Sequence, residues 1–224
     1  MVKLALEIPL RYWDEFSSYS DYHYALTHEV LSNKSYARQY RNLRGEVWLD
    51  NSFNELKKTV SLPELLKACQ EIGPTHLVLP EAEEPILNIQ LVDEAVKTLD
   101  KEGIKLKTVA AWRGGVAELE DLETLVDIVA LPYDEPRGWL LSQIHPLKWS
   151  RYHFFGFNTL SEVNYFKPRS IDTSTPIRLA LFGRDIDFEF TRPTLPYYDP
   201  KIKMTKAQRK LAHTNLWKLK KVLE

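Results

Sequence analysis

EVWLDNSFNELKKTVSLPELLKACQEIGPTHLVLPE, residues 46–81, predicts a strand, a helix and a second strand in succession. The runs EVWLD (46–50) and HLVLP (76–80) are rich in β-forming residues and do not alternate strictly with polar ones, which is typical of strands covered on both faces. Between them, SLPELLKACQEIG (61–73) places its leucines at helical spacing after a candidate N-cap, Ser61. The stretch therefore predicts one β–α–β unit of a parallel sheet.

The rest of the chain repeats this alternation. Further strands are predicted in KLALEI (3–8), LKTVAAW (106–112), DIVALP (127–132), YHFFGF (152–157) and SIDTS (170–174). Helices are predicted at 21–43, 87–103, 117–125, 136–144, 159–167 and 176–184. Because seven or eight strand–helix units share about 180 residues, the pattern predicts a compact or degenerate (β/α)8 TIM-like barrel. A doubly wound open sheet is the alternative.

Composition limits the class of protein. With 44% hydrophobic and 27% charged residues, the 224-residue chain is typical of a globular protein. A single cysteine, Cys69, excludes an internal disulfide and a Cys-rich zinc site. No apolar run approaches the roughly 20 residues of a membrane span. We therefore expect a cytoplasmic protein without a membrane partner, a metal or a redox cofactor.

Charge is distributed unevenly, although the net charge is −1. Lys201–Glu224 contains eight basic residues and one acidic residue, a charge of +7, which leaves −8 on residues 1–200. An acidic body with a basic tail indicates a polyanionic partner. The sequence predicts a barrel over 1–190, followed over 191–224 by a Pro/Tyr-rich linker and a basic amphipathic helix capped by Thr205.

Three carboxylates follow three different predicted strands. Asp50, Glu81 and Asp172 come at the ends of EVWLD, HLVLP and SIDTS. In a barrel of parallel strands these ends meet at one mouth, where function collects, so the three side chains are expected to converge. Paired carboxylates suit cleavage of glycosidic bonds, with one as nucleophile or cation stabiliser and the other as acid or base. Taken alone, each aspartate could equally be a helix N-cap or a loop residue without a catalytic role.

Glycines at another strand end suggest close approach to a ligand. Gly114 and Gly115 follow LKTVAAW and Arg113, and backbone amides without a Cβ can approach a flat molecule, although such pairs also form ordinary turns. The six histidines show no ligand spacing and are predicted to be structural; they are His23, His28, His76, His145, His153 and His213.

The order of these segments resembles a known family. VWLDNSFNE is similar to the DSGGFQ-type segment of tRNA-guanine transglycosylases, and more so to the LDNS/LDNG form in phage DpdA-type 7-deazaguanine DNA transglycosylases. HLVLPE, TVAAWRGG, DIVALP, YHFFGFNTLSEV and RSIDTSTPIRLAL resemble the strands and loops that follow in that family, in the same order. The resemblance covers roughly residues 9–185.

The resemblance implies a TIM-like barrel that exchanges a purine base in a nucleic acid. Asp172 would be the nucleophile, forming a covalent glycosyl intermediate, and Asp50 the general acid/base. The residues that would bind the base are Glu81, Gly114, Gly115, Asn51, Ser52, Phe53 and Leu131. The base supplied as co-substrate would be a 7-deazaguanine such as preQ0, with no other cofactor.

The implied macromolecular partner is DNA rather than tRNA, because the Cys/His zinc site of the tRNA-acting enzymes is missing and the N-terminal segment resembles the phage branch. The phosphates would be held by Arg113, Arg137, Arg151, Lys206, Arg209 and Lys210. Two alternatives remain open: a hydrolytic nucleoside or nucleotide N-glycosidase, and an inactive barrel that binds a base or nucleic acid. The oligomeric state is left open.

Overall fold

The computed structural model describes residues 1–133, 135–157, 159–186 and 203–224. Eight parallel strands alternate with helices in a (β/α)8 TIM-like barrel that ends in a C-terminal helix. The strands are β1 (Lys3–Leu6), β2 (His23–Leu26), β3 (Val47–Asp50), β4 (His76–Val78), β5 (Lys107–Ala111), β6 (Ile128–Pro132), β7 (His153–Phe155) and β8 (Ser170–Thr173). Their order is β1-β8-β7-β6-β5-β4-β3-β2. The barrel prediction is confirmed, and the doubly wound alternative is wrong.

The structure contains eleven α-helices in the described residues, and two of them begin at caps that the sequence predicts. The helices are α1 (Trp13–Phe16), α2 (Thr27–Ser32), α3 (Lys34–Arg41), α4 (Phe53–Leu56), α5 (Leu62–Ile72), α6 (Pro85–Glu102), α7 (Val116–Leu125), α8 (Arg137–Gln143), α9 (Leu160–Phe166), α10 (Thr175–Leu181) and α11 (Lys206–Leu223). Ser61 and Glu64 form a capping box at α5, and Thr205 caps α11 as predicted. Within the described ranges, none of these helices combines the length and apolar character needed to cross a membrane.

The chain divides into two compact units. One unit is Tyr22–His145, which holds β2 to β6. An aromatic stack fills part of its interior: the Trp48 indole lies parallel to the His76 ring at 4.7 Å, and Tyr22 and Tyr24 pack against Trp48. These large buried rings come from neighbouring strands, so they tie the sheet together by contact as well as by backbone hydrogen bonds.

The other unit comprises Met1–Asp21 and Pro146–Glu224, and holds β1, β7, β8 and α11. Helix α11 packs on α10 and buries Leu216, Leu219 and Leu223. Buried Asn215 fixes the position of the helix, because its side chain donates to the carbonyls of Pro176 and Arg184 and accepts from the Ile186 amide. Trp217 of the same helix is 53% exposed.

Side chains cap the outer edges of the two terminal strands. On β1, the Asp21 carboxylate accepts from the Leu4 amide at 2.8 Å, and the Asp21 amide donates to the Leu4 carbonyl. On β2, the Tyr36 hydroxyl accepts from the Leu26 amide, and the Tyr40 hydroxyl donates to the Tyr24 carbonyl. Edge groups that a further strand would satisfy are thus satisfied within each unit.

One sequence prediction for the elements is wrong. The stretch 21–43 was expected to be helical throughout, yet it opens with β2 before α2 and α3 begin. Tyr24 and Ala25 are buried, and the strand pairs with β3, so sheet pairing outweighs the helical pattern. The predicted linker over 191–200 and the boundary at 190/191 lie outside the described residues.

Candidate active site

Asp172 lies near the carboxyl end of β8 and is 8% exposed. Its Oδ1 is 3.0 Å from His153 Nε2, and the Gly156 amide lies 3.4 Å from the same oxygen. Among the described residues, no hydrogen bond is donated to its other oxygen, Oδ2. The carboxylate is therefore held by one oxygen, which leaves the second for a ligand.

His153 is fully buried at the start of β7 and joins two residues of the neighbouring strand. Its Nδ1 lies 2.9 Å from Ser170 Oγ, while its Nε2 contacts Asp172. The register pairs His153 with Ser170 and Phe155 with Asp172, so alternate residues of β7 and β8 share one face. Hydrogen bonds at both nitrogens fix the ring, and the ring in turn fixes Asp172.

Asp50 lies at the end of β3, in the Tyr22–His145 unit. Its Oδ1 accepts from the Tyr24 hydroxyl at 2.8 Å and its Oδ2 from the Ser52 amide at 2.8 Å. Ser52 has a left-handed backbone with φ of 60°, which turns the chain back toward Asp50 before α4. The tight turn orients the carboxylate. Because Asp50 and Asp172 belong to different units, their shared cavity stays a prediction.

His28 lies beside this turn, and its amide is 3.3 Å from Ser52 Oγ. Burial lowers the pKa of His28, and the neighbouring Glu29 carboxylate opposes that shift. His28 is therefore expected to be neutral at physiological pH.

Glu81 is buried in an ion pair with Arg113. Arg113 Nη2 lies 3.0 Å from Glu81 Oε1, and the side chains are 5% and 4% exposed respectively. Asn51 Nδ2 donates to Glu81 Oε2, and Arg113 Nη1 binds Glu135 at 2.7 Å. The guanidinium also lies 5.9 Å from the centre of the Phe53 ring. The structure therefore brings four residues of the predicted site, Glu81, Asn51, Phe53 and Arg113, into one cluster.

The glycine pair is explained in part by packing. Gly114 has φ of +107°, and a Cβ there would lie 3.0 Å from Pro85 Cβ, so no other residue fits without displacement. The Gly115 amide, predicted to face a ligand, donates to Glu118 Oε2 at the start of α7. The role predicted for both glycines in binding the base stays a prediction.

No protein-family model matches this chain, and neither does a curated protein. A solved structure that it resembles is thiamine phosphate pyrophosphorylase from Pyrococcus furiosus, at 13% identity and a TM-score of 0.49, covering 100% of this chain and 98% of that one. A similarity at this level carries no argument about the reaction. The barrel assignment rests on this chain's own strand order.

The cations predicted to hold phosphates lie in different environments. Arg113 is in the ion pair with Glu81, and Arg137 is 1% exposed with its Nη1 donating to the Leu131 carbonyl at 3.0 Å. Leu131 is one of the residues predicted to bind the base, and its carbonyl already accepts this hydrogen bond from Arg137. A phosphate would have to displace these contacts, whereas Arg151 is exposed. The phosphate roles stay predictions.

Helix α11 presents only part of its charge to solvent. Arg209 pairs with Glu15, Lys218 with Asp185 and Lys220 with Asp21. Lys206 and Lys210 have no carboxylate partner among the described residues. The polyanion contact predicted for this helix would therefore depend on fewer cations than its sequence contains.

Sequence reasoning missed His153, Ser170, Tyr24 and Glu135 as parts of the site. His153 was predicted to be structural because no second ligand stands near it in sequence. Its partner lies 19 residues away on the next strand. The available signal was alternation: Ser170 and Asp172 share one face of β8, and a polar residue at the start of YHFFGF is placed to meet them.

Proposed function

We propose that this protein is a transglycosylase that exchanges guanine in a nucleic acid, DNA in preference to tRNA, for a 7-deazaguanine such as preQ0. The observation that carries the proposal is the Asp172 carboxylate, which is held at Oδ1 by His153 and receives no hydrogen bond at Oδ2 from the described residues. A nucleophile needs this combination of fixed orientation and an available oxygen. The resemblance of the chain's segments to the transglycosylase family supplies the reaction.

The proposed reaction has two displacements at C1′. Asp172 Oδ2 attacks C1′ of the target nucleoside, the C1′–N9 bond breaks, and the departing guanine takes a proton from Asp50. The incoming base then gives its proton to Asp50, and its N9 attacks C1′ and releases Asp172. Two inversions retain the anomeric configuration and leave the strand intact. The target nucleotide must leave any duplex to reach the carboxylate.

Glu81 is proposed to recognise the base. Guanine and preQ0 both offer an N1–H and an exocyclic amine, and a buried carboxylate accepts from both. Asn51 fixes the Glu81 side chain, and Arg113 both orients it and compensates its charge. A prearranged acceptor of this kind discriminates against bases that lack a donor.

The test is incorporation of labelled guanine or preQ0 into a DNA oligonucleotide and, in parallel, into an unmodified tRNA transcript. Asp172→Asn is expected to abolish incorporation, whereas Asp14→Asn, an exposed aspartate of the same unit, is the matched control and should retain it. A covalent protein–nucleic acid species resistant to denaturation should form with the parent chain and be absent in Asp172→Asn.

Other results would contradict the proposal. Release of free guanine without incorporation would identify a hydrolase. Exchange that persists in Asp172→Asn would remove the nucleophile from its assigned position, and preference for tRNA would reverse the assignment of the substrate.

A further inference from the structure

A group of partly or fully exposed aromatic and basic side chains lies in the Met1–Asp21 and Pro146–Glu224 unit, outside the candidate site. The basic-aromatic patch comprises Trp149, Arg151, Tyr165, Phe166, Lys167 and Arg169. Its residues come from the 3-10 helix Pro146–Arg151, from α9 and from the connection to β8. These segments precede β7 and β8, so the patch lies at the amino end of β8, while Asp172 lies toward the carboxyl end.

The aromatic side chains of the patch pack against one another and against a buried ring. The Phe166 ring meets the buried Phe154 ring at 6.4 Å, and Trp149 packs edge-on against Phe166 at 4.8 Å. Tyr165 contacts both Trp149 and Phe166, at 5.5 Å and 4.9 Å, and is still 69% exposed. A large ring that is held by neighbours and open to solvent is suited to stacking, because little side-chain entropy remains to be lost.

The basic residues of the patch lie within three positions of these aromatic residues along the chain. Arg151, Lys167 and Arg169 are exposed, and among the described residues no carboxylate pairs with them. Lys167 is fixed by its backbone, since it ends α9 in the left-handed conformation, and the Arg169 amide donates to the Tyr152 carbonyl. Three cations on an ordered backbone beside an exposed ring combine the two features of single-strand binding surfaces, a charged track and a stacking platform.

We infer that the basic-aromatic patch binds single-stranded nucleic acid, with phosphates on Arg151, Lys167 and Arg169 and a base stacked on Tyr165. It shares the partner class of the proposed function and does not depend on base exchange. Because the patch and Asp172 are at opposite ends of β8, the nucleotide on Tyr165 is not the one that reacts. The patch is a second contact, which holds the strand while the target nucleotide enters the site.

The test measures binding of fluorescein-labelled oligothymidylate by anisotropy, with Asp172→Asn as the parent protein so that no chemistry intervenes. Tyr165→Ala should weaken binding by between about 5-fold and about 150-fold, the range of one stacked base, and Tyr165→Phe should restore it. Phe182→Ala removes another exposed aromatic of the same unit and should leave affinity unchanged.

A charge variant tests the phosphates. Arg151→Gln, Lys167→Gln and Arg169→Gln together should reduce the slope of log affinity against log salt by about 2, since each single-strand phosphate contributes roughly 0.7. The matched control, Lys67→Gln with Lys101→Gln and Lys105→Gln, removes the same charge from exposed positions of the Tyr22–His145 unit.

The outcomes are distinct. Loss of affinity in the patch variants alone supports the inference, even if no base exchange is found. Unchanged binding in Tyr165→Ala, or an equal loss of affinity in the control triple variant, would overturn it. Heparin binding as tight as oligothymidylate binding, and unchanged in Tyr165→Ala, would overturn it as well. Patch variants that dissociate a dimer without changing oligonucleotide affinity would identify a contact between copies of this chain instead.

Discussion

Replacement of Arg113 by methionine tests the cluster around Glu81. Both side chains of this ion pair are almost inaccessible, at 5% and 4% exposed, and their atoms meet at 3.0 Å. Methionine retains most of the apolar stem beside Phe53 but leaves Glu81 as a buried charge with its cation removed. Breaking one side of a buried pair costs about 3–5 kcal/mol in the free energy of unfolding.

A second substitution separates the charge from the packing. In the Arg113→Met, Glu81→Gln double variant no uncompensated carboxylate remains at position 81, so we expect it to be more stable than Arg113→Met alone. Arg41→Met is the matched control, because Arg41 pairs with Glu71 at 2.5 Å but the two side chains are 56% and 47% exposed. An exposed pair contributes at most about 1 kcal/mol.

Urea denaturation followed by tryptophan fluorescence measures these differences. With an m value of roughly 3 kcal/mol/M, a loss of about 3–5 kcal/mol lowers the midpoint by about 1–1.7 M. Arg41→Met should shift the midpoint by no more than about 0.3 M. If Arg113→Met shifts the midpoint no further than Arg41→Met, or if the double variant is no more stable than the single one, the buried pair does not have the role described.

Three further predictions concern other parts of the chain. His153→Gln keeps a donor near Asp172 and should retain exchange with preQ0. His153→Asn reaches only toward Ser170 and should lower kcat with little change in KM. Equal kcat values in the two variants would show that His153 does not position Asp172. Burial raises the pKa of Cys69 to about 12, so only about one thiol in 10,000 is ionised at pH 8; alkylation by iodoacetamide should be slow at pH 8 and accelerate with rising pH, and rapid labelling at pH 8 would contradict this burial. Asn215→Ala leaves two carbonyls and an amide unsatisfied and should cost about 2–4 kcal/mol in urea unfolding, and a loss below 1 kcal/mol would show that the amide does not fix α11.

The barrel is predictable from sequence because its signals are local. The run of β-forming residues before Asp50 and the Ser61 cap each act within a few residues, and each is found where expected. The strand His23–Leu26 was missed because its neighbours form helices, and only pairing with β3 reveals it. Pairing between strands that are distant in sequence cannot be predicted from the local residue pattern.

The site was predictable in its carboxylates and not in their partners. Asp172 follows from its place on a strand, but its contact with His153 depends on the register of two strands separated by a helix. Arg113 was one of the cations predicted to hold phosphates. The structure places it inside, against Glu81. Burial of a charge depends on which opposite charge the fold brings near, and that information lies in tertiary structure.

The capped edges of the sheet bear on aggregation. A strand with unsatisfied amides and carbonyls is a template onto which another molecule can add a strand, and β1 and β2 are the two terminal strands of the order. At β1 the Leu4 amide donates to the Asp21 carboxylate, which is itself paired with Lys220 at 2.7 Å. At β2 the partners are two tyrosine hydroxyls of α3. Because side chains supply much of this capping, substitution of Asp21, Tyr36 or Tyr40 is expected to leave backbone groups of the strand without these partners, and so to favour aggregation through that strand.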